Sequence, residues 1–285
     1  MGRFILILLA IITLGSVFFF VSSPHSETLV INVPNKRTLP RIFRYSGDHI
    51  SASCQFSEKG LKEIIATIPS KNLIILDLRE EPHGFVNGHA ISWRKERNWM
   101  NIGKTAENIE ENEVQRLKKL KTQKLAILRH KKGWQLPRLV MPNEVMTERA
   151  LADSLGIRYL RMPITDHVKP TDSLIDEFVE FFVKMEPADW VHVHCSAGKG
   201  RTSTILAMYD MLTCAHVLSF ETIIQKQKKE GRIDLMALPS EKKWKSPYFI
   251  ERQAFLREFY AYCKEQGPIP LLSWSEWKRE NRKAN

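Results

Sequence analysis

The chain has 285 residues, a formal net charge of +11 and a hydrophobic content of 43%. That length allows one large folded domain, and the hydrophobic content is too high for a chain that is disordered throughout. The positive charge favours an anionic partner, such as nucleic acid, an acidic membrane surface or a phosphorylated small molecule, without choosing among them.

The first residues are typical of a targeting segment. Arg3 precedes an apolar run over residues 4–21, and Ser22-Ser23-Pro24 follows it. A basic start, an apolar centre and small residues describe a secretory signal peptide, and the run is also nearly long enough to span a bilayer. We therefore predict that residues 1–26 are a signal peptide or an uncleaved N-terminal membrane anchor. Residues 27–285 would form an exported domain, periplasmic or secreted, that meets a membrane only through such an anchor.

After this segment, apolar runs alternate with amphipathic stretches. The predicted strands are residues 73–76, 125–128, 138–141, 157–162 and 190–194. The predicted helices are residues 105–121, 143–155 with Asn143 as the N-cap, 171–185, 201–213, 219–230, 246–265 and 274–282. This alternation predicts an α/β fold with a mainly parallel central sheet flanked by helices. The segment from about 84 to 140 departs from the alternation, and we expect a small β-rich insertion there.

The most informative segment is the glycine-rich turn between the strand at 190–194 and the helix that follows. Cys195 and Arg201 bracket it, and the residues between and after them are Ser196, Ala197, Gly198, Lys199, Gly200 and Thr202. Small residues let backbone N–H groups form an anion-binding cradle at the helix N-terminus. Such a cradle stabilises a thiolate, and the Arg201 fork can hold two phosphate oxygens. Thr202 is placed to donate a hydrogen bond to the Cys195 sulfur or to the leaving group.

These residues predict covalent phosphoryl transfer through a phosphocysteine, with no metal or cofactor required because the cradle supplies the positive charge. Expelling an alcohol also needs a proton donor. Asp166 lies 29 residues before Cys195 (195 − 166), between a predicted strand and a predicted helix. That position lies at the carboxyl edge of the sheet, where ligands collect in open α/β folds. An ordinary turn aspartate is the alternative interpretation.

The turn is similar to the HC-x5-R-[ST] signature of the cysteine-dependent protein tyrosine phosphatase superfamily. This resemblance implies that His194 orients the loop and that Asp166 is the general acid. Residues 164–170 (ITDHVKP) and 77–88 (DLREEPHGFVNG) further resemble segments of the bacterial protein-tyrosine-phosphatase-like phytases, which hydrolyse inositol hexakisphosphate. The resemblance covers residues 38–280. It implies a phosphatase core and additional substrate-binding residues, namely Arg44, Asp77, Arg79, His83, Lys104, His167, Lys199 and Lys245.

Three functions stay open at this point. Inositol polyphosphate hydrolysis is the first, and hydrolysis of phosphotyrosine or phosphoinositides is the second, because the C-x-A-G-K-G-R form also resembles phosphoinositide phosphatases. A binding protein for inositol phosphates without turnover is the third, although Cys195, Arg201 and Asp166 are all present. Nucleic acid is not expected as a partner, because the basic tail at 277–283 carries no nucleic-acid motif. The four cysteines lack metal-ligand spacing, and Cys214 and Cys263 are expected to be small buried residues.

Overall fold

The computed structural model describes residues 27–130, 135–238, 240 and 243–284. The predicted targeting segment therefore lies outside the described residues, and its assignment stays a prediction. The strands in chain order are β1 Thr28–Val33, β2 Arg44–Tyr45, β3 Ile50–Cys54, β4 Asn72–Arg79, β5 His83–Val86, β6 His89–Arg94, β7 Ala126–His130, β8 Arg138–Val140, β9 Val145–Met146, β10 Arg158–Ile164 and β11 Asp189–Cys195.

The helices lie between and after these strands. In chain order they are α1 Glu58–Thr67, α2 Ala106–Lys121, α3 Glu148–Ser154, α4 Asp172–Val183, α5 Gly200–Cys214, α6 Phe220–Gly231, α7 Ser246–Gln266 and α8 Trp274–Ala284. Thr105, Thr171 and Ser219 cap three of them, and each side-chain oxygen accepts a backbone N–H from the first turn. Such caps satisfy N–H groups that have no partner within the helix, which explains why these helices begin close to their predicted starts.

The central sheet is mainly parallel, as the alternation predicts. Its strand order is β10-β4-β11-β3-β2, and the pairs β10–β4, β4–β11 and β11–β3 are parallel. Successive side chains of β4 point alternately into two hydrophobic cores. Ile74 and Leu76 face the cluster that contains α4 to α8, whereas Leu73 and Ile75 face the cluster that contains α1 and α3. A strand buried on both faces needs this nearly continuous apolar sequence.

A second, six-stranded sheet forms the β-rich part of the molecule. Its order is β8-β7-β1-β6-β5-β9, and α2 covers one of its faces through Leu117 and Leu120. The predicted segment of about 84–140 lies within this sheet. The sheet is larger than that segment, however, because β1 and β9 also join it.

One predicted helix boundary is wrong. Asn143 is not an N-cap, because Val145 and Met146 pair with β5 as strand β9. The helix α3 therefore begins only at Glu148, with Thr147 as the cap. Strand pairing in the second sheet thus overrides the local capping signal. Within the described residues, no helix is both long enough and apolar enough to cross a membrane.

Candidate active site

The predicted cradle joins the buried end of β11 to the first turn of α5. Gly198 lies in this turn with a φ of 67°, and a Cβ there would be 2.4 Å from the backbone nitrogen of Cys54. Only glycine therefore allows the turn to pack so closely against β3. The Arg44 guanidinium donates to the Gly198 carbonyl and to the Ser203 hydroxyl, both at 3.2 Å. These two bonds fix the turn to the start of α5.

Arg201 is aimed at the cradle by a buried carboxylate. Its Nη1 and Nη2 donate to the two oxygens of Glu81 at 2.6 and 3.0 Å, and Nη1 also donates to the Ile164 carbonyl at 3.1 Å. Burial works to raise the pKa of Glu81, but the Arg201 and Arg79 guanidiniums lower it well below its usual value. Within the described residues the buried Nε of Arg201 has no hydrogen-bond partner. That N–H is available for a phosphate oxygen.

Asp166 lies on the loop between β10 and α4 and reaches the same place. Its Oδ1 is 3.5 Å from Nη2 of Arg201, so the predicted acid and the predicted phosphate-binding arginine are neighbours. The segment after β6 holds the acid: Asn98 donates its side-chain amide to Oδ2 at 3.1 Å, and the Trp99 indole donates to the Asp166 carbonyl at 3.0 Å. Burial lowers the pKa of the adjacent His167, against the opposing influence of Asp166. A neutral His167 is therefore favoured at pH 7.

Cys195 lies on the wall of a cavity of about 510 Å³. Among the described residues, six cations line this cavity together with a single carboxylate, Asp166. The cations are Arg94, Arg97, Lys199, Arg201, Lys245 and Arg252. Two aromatic wall residues are covered by guanidiniums, since Arg97 lies 4.7 Å from the Trp244 ring centre and Arg252 lies 4.5 Å from that of Phe249. Burial lowers the pKa of Arg252 to about 10, which still leaves it charged at neutral pH. The cavity is thus built for a ligand with several negative charges.

The predicted site residues fall into two groups. The structure brings Cys195, Arg201, Asp166, Ser196, Ala197, Lys199, Gly200, His167 and Lys245 to the cavity wall. It does not bring Arg44, Asp77, Arg79, His83, His194, Gly198, Thr202 or Lys104 there. The hydroxyl of Thr202 is buried, and within the described residues it has no hydrogen-bond partner, so the expected bond to the Cys195 sulfur is not present. Lys104 is exposed and instead lies beside two other surface depressions.

Several residues that were predicted to contact the substrate do not line the cavity. Arg44 braces the cradle, as described above. Arg79 is 1% exposed and donates to Glu81 and Gln55, so it cannot reach a ligand in the cavity. Asp77 and His83 are also fully buried and lie 3.2 Å apart. These side chains support the site from beneath, because their charges are already paired inside the protein.

The buried side chains under the cradle form one ion-pair network. Its members are Asp77, His83, Glu113, Glu148, Arg161 and His194. The ligand atoms of Asp77, Glu148 and His194 lie within 4.8 Å of one another, a spacing that could accommodate a metal ion. Arg161 and His83 already bring positive charge to these carboxylates. Although burial lowers the pKa of His83, its carboxylate neighbours raise that pKa well above the usual value. These carboxylates are therefore already paired with side chains of the protein itself.

Sequence reasoning missed several residues of the cavity and its support. Arg94, Arg97 and Asn98 come from the end of β6 and the turn after it, whereas Phe249 and Arg252 come from the first turns of α7. None of these residues belongs to the cradle motif. A sequence signal existed for Arg252 alone, because it lies two helical turns after Lys245 and the two side chains share a helix face. Glu81 was part of the quoted DLREEP segment, but its role as the partner of Arg201 was not recognised.

Comparison with known proteins agrees with this geometry. A sequence model of the PTP-like phytase family, described by the words inositol hexakisphosphate, matches residues 76–213. A PTP-like phytase from Bdellovibrio bacteriovorus is 33% identical, with a TM-score of 0.74, and the match covers 91% of this chain and 98% of that one. A PTP-like myo-inositol phosphatase from Mitsuokella multacida, solved with myo-inositol-(1,3,4,5)-tetrakisphosphate, is 33% identical with a TM-score of 0.85 and covers 92% of this chain.

A third relative is the effector protein hopD2 of Pseudomonas syringae, which is 31% identical over 78% of this chain. This chain spans about half the length of the effector and of the Mitsuokella protein, 49% in each case. The Bdellovibrio protein, in contrast, matches over nearly its whole length.

Proposed function

Because this chain belongs to the PTP-like phytase family, we propose that it is a cysteine-dependent phosphomonoesterase that hydrolyses inositol polyphosphates. Cys195 attacks phosphorus, the S–P bond forms, and the bond from phosphorus to the inositol oxygen breaks. Asp166 donates its proton to that oxygen as it leaves. A water molecule, activated by Asp166, then attacks the phosphocysteine and releases inorganic phosphate.

The chain's own residues support each part of this reaction. Arg201 is fixed by Glu81, so its free Nε and the backbone N–H groups of the cradle are oriented before the substrate arrives. Donors that need no rearrangement stabilise the charge that develops on the equatorial phosphate oxygens. Asp166 reaches Nη2 of Arg201, which also donates to Glu81, at 3.5 Å. The acid therefore lies beside the phosphate-binding group.

The choice of inositol polyphosphates as the substrate rests on the ring of cations that lines the cavity. An inositol polyphosphate presents phosphates in every direction, and six cations around one carboxylate match that distribution. A phosphotyrosine presents one phosphate on an apolar ring and would need bare aromatic walls. Here guanidiniums cover Trp244 and Phe249. The same cation ring also fits a phosphoinositide headgroup, and for this reason lipid-attached inositol phosphates remain the second candidate substrates.

A direct test compares phosphate release from inositol hexakisphosphate, a phosphotyrosine peptide and a phosphoinositide. We expect the highest kcat/KM on inositol hexakisphosphate, and a preference for the peptide would contradict the proposal. Cys195→Ser should abolish turnover, with a loss of at least about 10⁴-fold, as is usual when a nucleophile is removed. It should still bind inositol hexakisphosphate, because Arg201 and the cradle amides remain. Substantial activity in pure Cys195→Ser protein would exclude the phosphocysteine mechanism.

We also propose that the protein is exported. The basic residue, apolar run and small residues at its N-terminus support this proposal. Fractionation of the producing cells, followed by N-terminal sequencing of the mature protein, tests it. Recovery of the full chain in the cytosol would contradict export.

A further inference from the structure

The hairpin of β7 and β8 carries an exposed apolar surface that the catalytic proposal does not use. Ile127 and Leu139 face each other across the two strands, and Leu125 and Met141 continue the same two lines. We call these four residues the hairpin patch. The exposed fraction of the residue is 52% for Leu125, 53% for Ile127, and 63% for both Leu139 and Met141. Residues two apart on a strand point to the same face. The intervening Ala126 and Leu128 face α2 and are buried.

The patch lies in strongly basic surroundings. Residues 118–143 include eight lysines and arginines and no aspartate or glutamate. Lys121, Lys124, Arg129 and Arg138 are exposed close to the patch in sequence. A contiguous apolar patch marks an interaction surface, whereas single exposed apolar residues need no explanation. Apolar side chains framed by cations match the boundary between headgroups and acyl chains of an anionic bilayer. A second copy of the chain would instead bring like charges together, which is unfavourable.

The position of the patch in the sheet points to the same partner. Arg94 is paired with Thr28, and Val30 is paired with Arg129, which places Thr28 beside Ile127. Arg94, Thr28, Ile127 and Leu139 thus form one row across β6, β1, β7 and β8. Six residues, 22–27, separate Thr28 in this row from the uncharged apolar run at residues 4–21. An N-terminus that enters a bilayer would therefore bring the hairpin patch to the same bilayer surface.

We propose that the hairpin patch docks on an anionic lipid bilayer, with its four apolar side chains at the headgroup boundary and the surrounding cations on acidic headgroups. Arg94, which lines the catalytic cavity, is two strands away from Ile127, or about 10 Å at the usual strand spacing. If the proposed phosphatase activity holds, docking brings the cavity close to lipid-attached inositol phosphates. The docking itself does not depend on that activity.

Side-chain footprinting of the full chain tests the proposal. Hydroxyl-radical labelling would be compared without vesicles, with phosphatidylcholine vesicles, and with vesicles that contain about 30% phosphatidylserine. We expect the patch residues, Met141 above all, to react freely in solution and to lose reactivity at least about fivefold on the anionic vesicles. The exposed Val217 and Leu271, which are 70% and 93% exposed on other parts of the surface, serve as internal controls and should not change.

Variants separate the patch from the N-terminal segment. Ile127→Glu/Leu139→Glu should abolish the protection of Leu125 and Met141, and Val217→Glu/Leu271→Glu should leave it intact. The midpoint of urea unfolding should match wild type in both, which shows that they are folded. If the Glu variant is unfolded, Ile127→Ser/Leu139→Ser replaces it. Vesicle binding without protection of the patch would overturn the proposal. Protection of the patch in the absence of vesicles would also overturn the proposal. Protection that increases with protein concentration would indicate a second copy of the chain, and protection that is independent of concentration would indicate cover by residues 1–26.

Discussion

Arginines and carboxylates occur both beneath the cradle and around the cavity, but their pairing is opposite in the two regions. Beneath the cradle, Arg161 binds Glu113 at 2.8 Å, and Arg79 binds Glu81 at 2.9 Å, with every partner buried. Around the cavity, Lys245 and Arg252 have no carboxylate within ion-pair distance among the described residues, and both lie against aromatic rings. The charges beneath the cradle are therefore neutralised within the protein, whereas Lys245 and Arg252 are available to a ligand in the cavity. Arg201 belongs to both regions, because it lines the cavity and is paired with Glu81.

The first prediction concerns the one carboxylate that faces the cations of the cavity. Asp166→Asn should reduce kcat on inositol hexakisphosphate by about 10²–10⁴-fold, the usual range for a general acid. On an aryl phosphate with a good leaving group the loss should be much smaller, because that oxygen needs little protonation. Steady-state kinetics on both substrates measures this. An equal loss on both would show that Asp166 belongs with the structural charges.

A second prediction removes one charge from the buried region. Glu81→Gln leaves Arg201 and Arg79 without their shared counter-charge, so the free energy of unfolding should fall by about 3–5 kcal/mol. Because Arg201 would also lose its orientation, kcat should fall as well. The matched control is Glu63→Gln, which breaks an exposed pair with Arg37 and should cost at most about 1 kcal/mol. Denaturant unfolding of both variants gives the two values, and equal losses would contradict the comparison.

The pH dependence of stability provides a third prediction. Burial works to raise the pKa of Glu148, but the stronger opposing influence of His194 lowers this pKa to about 2. A carboxyl with a depressed folded-state pKa stabilises the protein above its unfolded pKa of about 4.5 and loses that contribution as the pH falls toward 2. Wild type should therefore exceed Glu148→Gln in stability at pH 7, and the difference should shrink by on the order of 3 kcal/mol between pH 5 and pH 2.

Urea unfolding of both proteins across this pH range makes the measurement. A difference that stays constant with pH would mean that Glu148 is not ionised in the folded network. The raised pKa of His83 has the opposite effect on the pH dependence of stability. The contribution of His83 to stability is present below pH 6.5 and is lost only as the pH rises through the elevated folded-state pKa. The two groups can thus be distinguished by the side of neutrality on which stability changes.

The smallest predicted effect is that of single cavity cations. Lys245→Ala should raise KM for inositol hexakisphosphate about tenfold, as expected for a loss of about 1–3 kcal/mol from a charged contact. KM for a small aryl phosphate should change little, and added salt should weaken the wild type more steeply than the variant. Lys104→Ala is the matched control, because Lys104 is exposed but lies outside the cavity. Equal effects of both variants would show that the cations act only through the net charge.

The sequence by itself determined the chemical centre and most secondary structure. Cys195 and Arg201 are separated by one short turn, so their spacing in the chain fixes their spacing in space. Asp166 was predictable because the carboxyl ends of the parallel strands β10, β4 and β11 lie at one edge of the sheet. Helices such as α4 and α6 began near their predicted starts because their N-caps are local hydrogen bonds. In each case the interactions that decide the structure join residues that are close in sequence or that lie in parallel strands of one sheet.

Only the tertiary structure decided which charges line the cavity. Arg79 and Lys245 look equally suitable in the sequence, yet one is buried against Glu81 and the other lines the cavity. The start of α3 was misplaced for the same reason, because pairing with β5 decided the structure of residues 145–146. Arg79 is structural because the carboxylate of Glu81, two residues along the chain, neutralises it in a site without water. The burial of this pair is set by packing between elements, which local sequence patterns do not encode.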